Sequence, residues 1–180
     1  MSKIKILSDL KIAQCPIWCS KTDYLFENIE KPSLINRTIK LLGKFRKYDI
    51  IIISDIKLAQ IFGMLQTIFR WHTPKHLILE LMLDEPKTDI LWKIKNIFQR
   101  LCFSSVDVVF VSSKSEIATY AQRLRLPEGH IRFLPFHTNV IEPRIIKGNR
   151  GYILSAGKTG RDYGTLAKAV EGLDVKVVVV

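Results

Sequence analysis

The sequence predicts an α/β fold in which a parallel β-sheet carries helices on both faces, the doubly wound or Rossmann-like arrangement. Two observations predict it. Short apolar segments alternate along the chain with longer segments whose apolar residues recur every three or four positions. The clearest short segment, residues 50–54 (IIIIS), is almost entirely apolar and β-branched, as strands of a parallel sheet are when both of their faces are buried.

The first elements follow from local signals. Residues 3–7 are a short strand candidate. Pro32 and Ser33 precede an amphipathic helix, because serine is a favoured N-cap and apolar residues follow at helical spacing as far as Phe45. The strand at residues 50–54 comes next. The same reasoning then predicts, in order, a helix at 56–70, a strand at 76–82, a helix at 88–103, a strand at 106–111, a helix at 115–126 and a strand at 131–134.

The pattern predicts two domains of unequal completeness. Residues 1–138 form the first domain, and residues 139–150, which contain proline, glycine and polar residues, read as a linker. A fresh strand–helix–strand unit follows at 152–156, 165–173 and 175–180. Because the chain ends in four valines with no turn signal, we expect residues 151–180 to be the start of an incomplete second α/β domain.

Composition and charge narrow the class of protein. The residues are 47% hydrophobic and 25% charged, which excludes collagen-like, low-complexity and disordered proteins. The net charge of +11 predicts an anionic partner, which could be nucleic acid, a phospholipid surface or a phosphorylated substrate. Residues 1–138 carry most of this excess, with 21 basic and 13 acidic side chains.

A local basic face predicts where such a partner would bind. No acidic residue interrupts the segment 37–47, and only Phe45 supplies an aromatic ring, which disfavours nucleic acid. An anionic membrane is the better expectation, helped by cations on the helix at 88–103. The membrane-facing candidates on the first helix are Arg37, Lys40, Lys44, Arg46 and Lys47, and those on the second are Lys93, Lys95 and Arg100.

Targeting signals are not visible in the sequence. The first residues lack the apolar core of a signal peptide, and no apolar run approaches the roughly 18 residues that cross a bilayer. Three cysteines without regular spacing agree with a reducing compartment. We therefore expect a cytoplasmic protein that binds peripherally to the cytoplasmic face of a membrane.

The loop at residues 157–161 is the candidate anion site. Gly157, Lys158 and Thr159 resemble the end of a phosphate-binding loop, but Tyr152 stands where that motif needs glycine. A glycine-bearing turn between a parallel strand and a helix still favours anions, because the helix N-terminus offers free N–H groups. Together with Arg161, these residues are candidates for binding a diphosphate.

Other groupings carry weaker signals. Cys15 and Cys19, and likewise His72 and His76, are four residues apart, but zinc would need all four to converge and Pro74 separates the histidines. No metal and no cofactor is expected. Glu80 and Asp84 lie at and just past the end of the strand at 76–82, where such folds place functional loops, and are the candidates for the acceptor side or for catalysis.

The second half of the chain resembles the family 4 glycosyltransferases of the GT-B fold. In that family the first domain ends with an "a-D-x-v-i-x-x-S" strand, a helix and an "i-x-v-i-P-n-G-v-D" turn, and the second opens with a strand, a glycine turn and a basic residue. The residues at matching places are Asp107–Ser112, Ile131–Pro135, Gly157, Lys158, Arg161, Thr165, Leu166 and Ala169. The sequence departs from the pattern at His137, which stands in place of a glycine.

The resemblance implies an activity. It implies a transferase of about twice this length that moves a sugar, with retention, from a nucleotide-sugar donor to an unidentified acceptor, which could be a carbohydrate, a lipid-linked molecule or another compound. The basic face adds the expectation that the reaction takes place at a membrane surface. Lys158 and Arg161 would contact the donor diphosphate, and this piece would be inactive alone. Two alternatives remain open: a non-catalytic basic module that binds anionic membrane or another anionic partner, and a sugar-nucleotide epimerase of the same fold.

Overall fold

The computed structural model describes residues 4–11, 15–26, 32–84, 86–135, 151–157 and 162–180. The chain divides into two compact units, Met1–His137 and Thr138–Val180. The predicted linker at 139–150 lies outside the described residues.

The first unit contains a parallel sheet and the helices that cover it. Its strands are β1 (Ile6–Ser8), β2 (Thr22–Tyr24), β3 (Ile50–Ile53), β4 (Lys75–Ile78), β5 (Val108–Val111) and β6 (Ile131–Phe133). Its helices are α1 (Pro16–Lys21), α2 (Leu34–Lys44), α3 (Ile56–Phe69), α4 (Ile90–Phe103) and α5 (Ser115–Leu124).

The strand order confirms the predicted fold class. The order across the sheet is β2-β1-β3-β4-β5-β6, and every neighbouring pair is parallel. The chain moves one way from β1 to β2 and the opposite way from β2 onward. Because parallel connections are right-handed, this reversal places α1 on one face of the sheet and α2 to α5 on the other. Contacts between α2 and α3, α3 and α4, and α4 and α5 agree with one shared layer.

The hydrophobic core lies between the sheet and this layer of four helices. Alternate strand residues are buried, as expected for side chains that share one face. The fully buried side chains include Leu7, Ile51, Ile53 and Ile78 from the strands and Leu41, Leu58, Phe62, Phe103 and Leu124 from the helices. This packing fixes the loops at the carboxyl ends of the strands relative to one another.

Local signals explain where several elements begin and end. They do not predict two short elements, α1 and β2. Ser33 caps α2 as predicted, accepting a hydrogen bond from the Asn36 N–H. Strand β4 ends at Ile78, earlier than predicted, because Glu80 adopts a left-handed conformation with φ of 53°. Helix α1 and strand β2 are each too short to produce a recognisable period.

The second unit is a small strand–helix–strand motif. Strands β7 (Tyr152–Ser155) and β8 (Lys176–Val179) pair in parallel, and α6 (Tyr163–Val170) connects them. The helix begins two residues before the predicted Thr165, because Asp162 caps it. Within the described parts of both units, each helix is too short or too polar to span a bilayer.

Candidate functional site

The carboxyl ends of β1 and β3 meet at the point where the strand order reverses, which is where open α/β sheets bind ligands. Asp9 follows β1, and its carboxylate accepts hydrogen bonds from two backbone N–H groups that follow β3. The distances are 2.7 Å from Ser54 and 3.0 Å from Asp55. Asp9 therefore holds the two loops of this crevice together.

Asp55 extends this cluster to helix α2. One carboxylate oxygen accepts a bond from the Leu58 N–H at 3.0 Å, which caps α3, and the other pairs with Arg37 Nη1 at 2.7 Å. The side chains of Arg37 and Asp55 are 12% and 21% exposed. Arg37, a predicted membrane-facing cation, thus has a partner inside the protein.

Glu80 lies at the end of the neighbouring strand β4. A non-glycine residue with positive φ is strained, and such residues cluster at functional sites. Backbone hydrogen bonds hold both flanks, from the Leu79 N–H to the Ile53 carbonyl and from the Leu81 N–H to the Phe110 carbonyl. The backbone on both sides of the half-buried Glu80 is therefore held at this edge of the sheet.

Asp84 lies further along the same loop and is exposed. It forms an ion pair with Lys95, and the hydrogen bond from that ammonium lowers the pKa of the carboxyl. Arg123 Nη1 donates to the Asp84 carbonyl at 2.5 Å, which ties the loop to α5. Asp84 is ionised at neutral pH and can accept hydrogen bonds from a bound ligand.

Tyr120 and Glu116 of α5 complete this edge. The Tyr120 hydroxyl accepts a bond from the Leu83 N–H and donates to Glu116, each at 3.2 Å, and burial raises the pKa of the tyrosine. The other Glu116 oxygen accepts from the Ser113 N–H at 3.0 Å. These contacts join the loops after β4 and β5.

The edge of the sheet therefore presents carboxylates on well-anchored loops. The structure brings Asp9 and Asp55 together at the β1–β3 crevice and places Glu80 and Asp84 on the adjoining loop after β4. Carboxylates suit a ligand rich in hydroxyl groups, because each oxygen can accept more than one hydrogen bond. Sequence analysis missed Asp9 and Asp55, although each directly follows a predicted strand by one or two residues.

The remaining cations of α2 and the residues after it lie on its surface. Lys40 is exposed and its ammonium lies 5.3 Å from the centre of the Phe26 ring. Arg46 and Lys47 are exposed and Lys44 is half-buried. The Arg46 guanidinium lies over the rings of Phe45 and Trp71, at 5.6 and 6.0 Å.

The predicted diphosphate loop is only partly described. Lys158, Thr159 and Arg161 lie outside the described residues. The Gly157 carbonyl accepts a bond from the Tyr163 hydroxyl at 2.7 Å. Asp162 accepts bonds from the backbone N–H and the hydroxyl of Thr165, at 2.9 and 2.6 Å, and these bonds lower its pKa.

This cap limits how α6 could bind an anion. The Asp162 carboxylate already takes an N–H group of the first helical turn and adds a negative charge beside it. A diphosphate at this loop would consequently depend on the side chains of Lys158 and Arg161 more than on the helix N-terminus.

The histidines and cysteines that are spaced four residues apart differ in burial and in hydrogen-bond partners. His76 is fully buried and its Nδ1 lies 3.0 Å from Gln66 Oε1, whereas His72 is exposed. The Cys19 sulfur accepts a hydrogen bond from the Tyr24 hydroxyl, and this bond is the largest of the effects that raise the tyrosine pKa to about 12. Among the described residues, no three His, Cys, Asp or Glu side chains form a group suited to a metal.

Comparison with known proteins does not assign the chain to a family. None of the protein-family profiles matches the sequence, and a search of curated proteins finds no significant relative. The fold thus defines an α/β protein with a doubly wound parallel sheet, and carboxylates lie on the loops at the carboxyl edge of that sheet.

Proposed function

We propose that this chain belongs to a glycosyltransferase and supplies its acceptor-side domain together with the first unit of its donor domain. One observation carries the proposal. A six-stranded parallel sheet, β1 to β6, is followed in the same chain by a second parallel sheet of two strands, β7 and β8, in a second compact unit. Two successive α/β units of this kind agree with the GT-B resemblance.

The carboxylate-lined edge supports a hydroxyl-rich acceptor. In this proposal Glu80 and Asp84 accept hydrogen bonds from acceptor hydroxyls, and the crevice held by Asp9 borders the same ligand. The acceptor is a carbohydrate or a lipid-linked sugar, and the reaction takes place at the cytoplasmic face of a membrane.

Glycosyl transfer breaks the bond between the anomeric carbon of the donor sugar and a diphosphate oxygen, so negative charge grows on the leaving diphosphate. Cations placed against that charge stabilise the transition state. We assign this role to Lys158 and Arg161, in the loop that the sequence predicts to turn at Gly157 and Thr159. The resemblance adds retention of configuration at the anomeric carbon.

Donor binding tests the proposal. The full-length protein that the gene encodes is titrated with a panel of nucleotide-sugars, and the variant Lys158→Ala/Arg161→Ala is titrated beside it. Loss of two charge-assisted contacts, each about 1.5 kcal/mol or more, should weaken the affinity by about a hundredfold. Lys168→Ala, a change at the other end of α6, is the control and should bind normally. Equal affinity in the double variant would refute the assignment.

A further inference from the structure

Helix α4 is oriented with its apolar face outward. Asn96 and Gln99 point inward and are 8% and 4% exposed. Cys102 and Phe103, at the C-terminal end of the helix, are fully buried. Most of the other apolar side chains of the helix face away from the core. We call these the outward face of α4. It consists of Ile90, Leu91, Ile94, Ile97, Phe98 and Leu101, whose exposed fractions run from 44% to 75%.

A polar network fixes this orientation on one side. The guanidinium of Arg123 donates to Asn96 Oδ1 at 3.3 Å and to Gln99 Oε1 at 3.2 Å, and it lies over the Trp92 ring at 5.1 Å. Turning α4 to bury its apolar face would expel these amides and leave Arg123 without them, which would cost free energy.

Close contact with α3 fixes the other side. A Cβ atom on Gly63 would lie 2.0 Å from the Cys102 carbonyl oxygen, so the two helix backbones touch. The Thr67 hydroxyl lies 3.1 Å from the Leu101 carbonyl oxygen and 3.0 Å from the Ser104 hydroxyl. The outward face is thus a stable feature of the folded unit.

The charges on α4 indicate what kind of partner this face would bind. The helix contains Lys93, Lys95 and Arg100 and no acidic residue. Lys93 is exposed, while Lys95 pairs with Asp84 at the margin. A second copy of the chain would bring the same cations against this face with no acid on α4 to pair with them. Anionic phospholipids supply both the apolar phase and the negative charge that the face lacks.

We propose that α4 docks on an anionic lipid bilayer, with its outward face among the acyl chains and the exposed Lys93 at the headgroup phosphates, while the half-buried Arg100 donates from its Nε to the Arg123 carbonyl at 2.8 Å. Because α4 begins after the loop that carries Glu80 and Asp84, docking brings the carboxyl edge of the sheet beside the lipid surface. That consequence rests on the proposed function and assigns a lipid-carried acceptor.

Vesicle co-sedimentation of the 180-residue chain tests the docking. The vesicles are phosphatidylcholine alone and phosphatidylcholine mixed with phosphatidylglycerol, and no sugar nucleotide is needed, so docking and transferase activity can fail separately. The chain should bind the mixed vesicles and release them at high salt. Leu91→Asn/Ile94→Asn should lower the affinity for vesicles about tenfold or more, because it removes two aliphatic side chains that docking would bury among the acyl chains. Lys93→Gln should lose about fivefold.

Ile17→Asn is the matched control, because Ile17 is 70% exposed on α1 at the opposite face of the sheet. It should bind vesicles as the unchanged chain does, and circular dichroism should show that all variants are folded. Absence of binding to anionic vesicles, or equal binding by Leu91→Asn/Ile94→Asn, would overturn the proposal. So would a dimer in sedimentation velocity that this double variant abolishes, because the face would then belong to a contact between copies.

Discussion

At the scale of single residues, His76 shows how far burial can change a side chain. It is fully buried, its Nε2 has no hydrogen-bond partner among the described residues, and its Nδ1 faces Gln66 Oε1. The Gln66 amide nitrogen donates to the Pro74 carbonyl, so its oxygen must accept and Nδ1 must carry the proton. Burial lowers the pKa of His76 from 6.5 to about 3, against the opposing effect of Asp107.

This burial predicts a pH-dependent stability. The unfolded chain takes up a proton near pH 6.5, whereas the folded protein resists protonation until about pH 3. Because only the unfolded chain takes up this proton between these pH values, the free energy of unfolding falls as the pH is lowered from about 6.5 toward 3. Above pH 6.5 both states are neutral at this residue, and the loss is absent. Urea unfolding midpoints should therefore decline across this range, and His76→Asn, which keeps a donor toward Gln66, should decline less steeply. An equally flattened profile in the exposed-residue control His72→Asn would contradict the assignment.

The candidate site shows which residues sequence reasoning could reach. Glu80 and Asp84 were chosen because they follow a predicted strand, and the structure places them on the loop after β4 at the carboxyl edge. Applying the same rule to the first and third strands would have added Asp9 and Asp55. The hydrogen bonds from the Ser54 and Asp55 N–H groups to the Asp9 carboxylate could not be predicted, because they join residues more than forty positions apart.

At the scale of elements, the contact between α3 and α4 depends on Gly63. Its missing side chain lets the α3 backbone approach the Cys102 carbonyl of α4, and the Ser105 hydroxyl donates to the Gly63 carbonyl at 2.8 Å. Since the neighbouring atom is backbone, a new methyl group would force the helices apart.

Two glycine-to-alanine changes should consequently have opposite effects. Gly63→Ala should lower the free energy of unfolding by about 1 to 3 kcal/mol, the usual cost of overpacking. Gly43→Ala in α2, where a Cβ would meet nothing within 4 Å, should raise it by up to about 1 kcal/mol. Urea unfolding measures both. An unchanged free energy of unfolding in Gly63→Ala would show that α3 and α4 are less closely packed at this glycine.

Periodicity predicted the long elements and missed the short ones for a physical reason. Helices α3 and α4 each span 14 residues, enough for several turns to repeat the pattern. Helix α1 has six residues and β2 has three, so neither repeats. The sequence predicted membrane-facing cations on α4, but its apolar stripe alone does not show which way the helix turns, because such stripes usually face the core. Only the positions of Asn96, Gln99 and Arg123 show which way it turns.

At the scale of the whole molecule, local patterns predicted a parallel α/β sheet but not its order. The position of β2 at the edge, beyond β1, creates the reversal that makes the β1–β3 crevice, and β2 carried no recognisable signal. Residues 1–138 hold 21 of the 28 basic residues, and α4 contributes three cations beside its outward apolar face. Fold, carboxylate edge and charge together support a transferase that works at a membrane.

Sugar transfer itself is the most direct test of this account. The full-length protein that the gene encodes is incubated with labelled nucleotide-sugars and a lipid extract, and both labelled product and released nucleoside diphosphate are measured. We predict that label moves to an acceptor with release of one equivalent of nucleoside diphosphate, and that Lys158→Ala/Arg161→Ala abolishes both. Conversion of the donor to an isomeric nucleotide-sugar without any acceptor would instead indicate an epimerase, and no consumption of any donor would contradict the assignment to the transferases.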